Sequence, residues 1–72
     1  MPESLKGLLH HAYRQAIATL PVVTRDIFLA HRVDGDDLAM IADRHMLPVE
    51  EVARHLADAL VVIDRALRAA GR

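Results

Sequence analysis

Apolar residues recur every three to four positions along nearly all of the 72-residue chain, and Pro21, Gly35 and Pro48 cut that rhythm into four pieces. This spacing is that of a helix with one apolar face, not the strict alternation of a half-buried strand. Leu5, Leu8, Leu9, Ala12, Ala16 and Ile17 mark the inner face of a first helix, with Ser4 as its expected N-cap. Gly7 weakens this helix by roughly 1 kcal/mol relative to alanine. Pro21 disfavours helical geometry at the preceding Leu20, so the helix is expected to stop near Thr19.

A second helix is expected from about Val22 to Val33, burying Val23, Ile27, Phe28 or Leu29, and Val33. In the run Asp34-Gly35-Asp36-Asp37, Gly35 can take a positive φ and Asp37 can cap a short third helix over Leu38 to about His45. Leu38, Ile41 and Ala42 should face inward. After Met46-Leu47, Pro48 suits the first position of a last helix, where its missing N–H costs nothing. There Val49, Val52, Leu56, Ala59 or Leu60, Ile63 and Leu67 form one stripe, and Gly71 ends it. Glu50 and Glu51 in the first turn and Arg65 and Arg68 near the end complement the helix dipole. The expected fold is all-α: a small four-helix domain spanning 1–72, with a long C-terminal helix.

Composition narrows the function classes. Hydrophobic residues make up 53% of the chain and aromatic ones 3%, which suits closely packed helices rather than an aromatic-rich sandwich. Without cysteine, neither disulfides nor thiolate metal sites can staple so short a chain. No uninterrupted apolar run, Ala59 to Ile63 included, exceeds five residues, far short of a membrane span of about 20 residues. Glu3 stands where a signal peptide needs basic residues, so the expected location is cytoplasmic, with no membrane partner.

Two helices joined by a tight turn, the second longer, are the spacing of a helix-turn-helix. The residues carry more than the spacing. Ala18-Thr19-Leu20-Pro21, Arg25-Asp26-Ile27-Phe28-Leu29, then Ile41-Ala42-Asp43-Arg44, Val49, Val52 and Arg54-His55-Leu56-Ala57-Asp58-Ala59-Leu60 follow one another without an insertion. The pattern resembles region 4 of bacterial RNA polymerase sigma factors of the extracytoplasmic-function type, in particular the iron-uptake branch, over roughly Ala16 to Leu67. The resemblance implies a DNA-binding helix-turn-helix domain that recognises the promoter −35 element and docks on RNA polymerase. It assigns major-groove reading to Glu50, Glu51, Arg54, His55 and Asp58, and phosphate or polymerase contacts to Arg25, Arg32 and Arg44. Nothing in the 72 residues corresponds to the promoter-melting part of a sigma factor, which leaves a separate region-4-like regulator or a piece of a longer chain.

The chain departs from the family pattern at four places. Met46 stands in the turn where a glycine is usual, His45 before it stands where a buried leucine is usual, Asp36-Asp37 replaces Leu-Ser at the start of the third helix, and Pro48 replaces the serine cap. Charge departs as well. The chain carries nine Lys+Arg against ten Asp+Glu, and between Pro48 and Asp58 one arginine faces three carboxylates. Affinity for duplex rests largely on cations that neutralise phosphates. An acid can still accept a hydrogen bond from cytosine N4, but weak DNA binding is expected.

A second functional reading is therefore a protein-interaction module that binds RNA polymerase, an anti-sigma factor or another copy of itself. Val61 and Val62 widen the apolar stripe of the last helix and are the candidate partner contacts, with core packing against the first helix as the alternative. Other chemistry finds little support. No two of the five histidines stand at i, i+4, and the twelfth position counted from Asp34 is His45 rather than a glutamate, so neither zinc nor calcium is expected. No catalytic residues or cofactor are expected either, because neither Ser4 nor the two threonines has a recognisable base at fixed spacing.

Overall fold

The computed structural model describes residues 2–71, with side chains described from Leu5 onward. Four helices follow in order: α1 (Pro2–Thr19), α2 (Val22–Arg32), α3 (Leu38–His45) and α4 (Val49–Ala70). No strand occurs among the described residues, and the chain is a small all-α domain.

Each helix end has a local cause. Thr19 Oγ1 donates to the Ala16 carbonyl at 2.7 Å, and Leu20 N–H reaches back to Ile17, closing α1 just before Pro21. Pro21 then caps α2 in an extended conformation, its carbonyl accepting from Arg25 N–H at 2.8 Å. Gly35 takes φ 74, which a side chain would strain, and turns the chain into α3. Asp37 caps α3 as expected, with Oδ1 accepting from Met40 N–H at 2.8 Å.

The α3–α4 turn has Met46 at φ 57, ψ 43, the left-handed conformation that glycine usually supplies. Leu47 N–H bonds to the Ala42 carbonyl and Met46 N–H to the Asp43 carbonyl, the bond pair of a Schellman cap. Leu47 folds back onto the cluster that contains Ile41 and Ala42, the apolar contact that accompanies such a cap.

Two termini differ from the sequence expectation. α1 already begins at Pro2, so Ser4 lies inside it rather than capping it. Pro48 is the N-cap of α4, with ψ 150 and its carbonyl accepting from Glu51 and Val52, and Val49 is the first helical residue.

α4 is the element on which the others assemble: α1, α2 and α3 all pack against it, and α2 also packs on α3. One core cluster joins Ala16, Leu20, Phe28, Ala59 and Ile63; the other joins Ile27, Ala30, Ile41, Ala42 and Val52. Leu56 borders both. The two aromatic residues meet edge to face, with the rings of Tyr13 and Phe28 6.4 Å apart.

Several residues assigned to the inner faces are exposed. Leu5 and Leu8 are uncovered because α1 packs mainly against α4, and a single neighbour shields only part of its apolar stripe. Val23 is exposed because the inward line of α2 runs through Thr24, Ile27 and Phe28. Val33 follows the last turn of α2 and Val49 lies on a flank of the α4 stripe, so both are exposed, and of the alternatives Ala59 and Leu60 it is Ala59 that is buried.

Candidate nucleic-acid interface

The short α3, its left-handed turn and the start of α4 share the second core cluster, where Ile41 and Ala42 meet Val52. Packing of these three side chains aims the opposite face of α4 outward. Glu50, Arg54 and Asp58, at i, i+4 spacing, lie on that outward face and are exposed.

The eight residues assigned to a duplex interface do not all reach solvent as free groups. Arg54 is bound by the Glu51 carboxylate one turn earlier on α4. That hydrogen bond, the charge of Glu51 and the charge of Asp58 all raise the Arg54 pKa above its ordinary value. The guanidinium is thus a fixed cation whose charge is locally cancelled. Glu50 and Asp58 stand in no ion pair among the described residues, so the start of α4 is acidic in space as well as in sequence.

His55 is the clearest revision. It is half-buried, and its Nδ1 lies 2.8 Å from Thr24 Oγ1 on α2. This bond fastens α4 to α2, so His55 is a positioning residue rather than a free reading side chain. Thr24 was missed by the sequence reading, although its spacing of three and four from Ile27 and Phe28 marks the same buried face. Among the described residues, every buried side-chain nitrogen and oxygen has a partner.

The scaffold arginines also separate. Arg25 is half-buried on α2, and Arg32 is exposed in its last turn, seven residues on and therefore on the same side. Neither forms an ion pair among the described residues. Arg44 is bound to Asp36 at 3.0 Å, ahead of α3. Asp36 is half-buried. Its carboxylate is satisfied by Arg44, and its carbonyl accepts from the His31 ring at 3.2 Å.

Val61 and Val62 lie in the second half of α4. They are 49% and 38% exposed, and Leu60 beside them is 51% exposed. Core packing against α1 thus does not account for the pair. Among the described residues no three acidic or histidine side chains gather as a metal site, and no helix is long and apolar enough to cross a membrane. Compared with known proteins, the chain matches no family model, no curated protein and no solved structure.

Proposed function

We propose that the chain is a sigma region-4-like helix-turn-helix protein acting in transcription initiation or its regulation, through promoter −35 recognition and RNA polymerase docking. The observation that carries this reading is the tight left-handed turn at Met46, which joins a capped short helix to a long one over a shared core. That junction leaves Glu50, Arg54 and Asp58 on the outward face of α4. In a major groove, Arg54 would leave Glu51 for a guanine edge, and a freed carboxylate would accept from cytosine N4. Arg25 and Arg32 would hold phosphates, as would Arg44 after release from Asp36.

A protein-interaction role stands beside it, favoured by the Glu51–Arg54 pair and by the exposed Leu60-Val61-Val62 run. In that reading the domain binds RNA polymerase, an anti-sigma factor or a second copy of itself without reading DNA.

Fluorescence anisotropy with a promoter-like and a random duplex, over a range of salt, separates the two. Duplex recognition predicts affinity that falls steeply with salt, with the slope reduced by about 1 in Arg32→Ala. The double variant Glu50→Lys with Glu51→Lys should bind duplex more tightly. No binding at low salt by the parent chain or this variant would overturn the DNA reading.

A further inference from the structure

The segment Ala59 to Ile63 is apolar on every side of α4, because five consecutive residues cover the whole circumference of a helix. A helix that is apolar all round is one with neighbours all round. Here only the side of Ala59 and Ile63 is covered, while Leu60, Val61 and Val62 meet solvent.

The surface as a whole points the same way. Its 5224 Å² exceeds by roughly 770 Å² what a folded monomer of this mass exposes. The radius of gyration, 13.7 Å, likewise exceeds the ~11 Å of a compact chain of this length, and the extents of 45 × 19 × 15 Å show why. Over much of its length the domain is too thin to cover both faces of α4.

The charges flanking the valines identify the occupant. Asp58 stands three residues before Val61, and Arg65 stands three residues after Val62. Within one chain they are two helical turns apart, about 10.5 Å along the axis. Neither joins an ion pair among the described residues, whereas the nearby Glu51–Arg54 and Asp64–Arg68 pairs form on the same helix. The pattern is symmetric about the midpoint of Val61 and Val62. A second α4 laid antiparallel on this face would set Val61 against Val62, and Asp58 against Arg65, twice over. Such self-complementarity is the requirement of a two-fold interface.

We propose that the chain forms a two-fold homodimer through this face of α4, with Val61 and Val62 at its centre and Asp58 of each copy paired to Arg65 of the other. The seam takes Asp58, which duplex reading also uses, so the dimer is tested without DNA. The helix is about 33 Å long, so contact at its middle places the two copies of α3, which pack near Val52, at opposite ends of the assembly.

Sedimentation of the full chain without duplex, from micromolar to millimolar concentration, tests it, with circular dichroism to follow helix content. The parent chain should dimerise. Val62→Asp should weaken dimerisation more than about 100-fold while keeping its helix content, since two carboxylates would enter the seam. Asp58→Arg and Arg65→Asp should each weaken it about tenfold, and the combined exchange should restore it, because each copy then meets the opposite sign again. A parent chain that stays monomeric to millimolar concentration would overturn the dimer. A dimer indifferent to Val62→Asp, or not restored by the combined exchange, would overturn this face and this pairing.

Discussion

Met46→Gly should stabilise the fold, although it removes most of a side chain. Met46 holds φ 57, ψ 43 at the end of α3, where an L-residue crowds its own Cβ against the following carbonyl, at a cost of about 1–2 kcal/mol. Its side chain is 91% exposed, so truncation forfeits almost no packing. Glycine removes the crowding but adds about 0.5–1 kcal/mol of conformational entropy to the unfolded chain. The net gain is about 0.5–1 kcal/mol, which in a domain of this size raises Tm by about 3–6 °C. Thermal melts by circular dichroism at one fixed chain concentration read this directly, and constant concentration removes any contribution from self-association. Met46→Ala separates backbone from side chain: it keeps a Cβ at the same φ and should leave Tm below that of the glycine variant. A glycine variant no more stable than the parent, or no better than the alanine one, would refute the left-handed turn and with it the account of how α3 meets α4.

Two further substitutions probe the supports of the same junction. Asp37→Ala removes the acceptor for Met40 N–H and should destabilise by about 1 kcal/mol in urea unfolding, with the slope of the transition unchanged. Thr24→Val strands the His55 ring nitrogen and should cost about 1–3 kcal/mol, while Thr24→Val combined with His55→Leu should recover most of the loss, because no buried polar group is then left without a partner. An additive double variant would mean that the two side chains do not depend on each other.

Except at the starts of α1 and α4, the helix boundaries were legible in the sequence because they are set by residues with local chemistry. Pro21 ends α1, Asp37 caps α3, Gly35 supplies a positive φ and Gly71 closes α4. The left-handed conformation at Met46 had no such local signal, because neither glycine nor asparagine marks it. Burial was less legible, because periodicity identifies an apolar stripe but not how many neighbours cover it. Leu5, Leu8 and Leu60 belong to such stripes and remain exposed, since α1 has one main neighbour and α4 is covered on one side. Side-chain partners were the hardest to foresee. Thr24 and His55 are 31 residues apart, a pairing that only tertiary packing creates, while Arg44 reaches back eight residues along α3 to Asp36. The Glu51–Arg54 pair, by contrast, was present in the sequence as an i, i+3 spacing.

In the proposed function, the outward face of α4 at its N-terminal half meets a DNA duplex. Amide NMR of the isotopically labelled chain, titrated at low salt with a −35-like duplex, addresses it residue by residue. The account predicts salt-sensitive shifts at Glu50, Glu51, Arg54 and Asp58, accompanied by Arg25 and Arg32 on α2. A spectrum left unchanged by saturating duplex, or changes confined to the surroundings of Val61 and Val62, would contradict it.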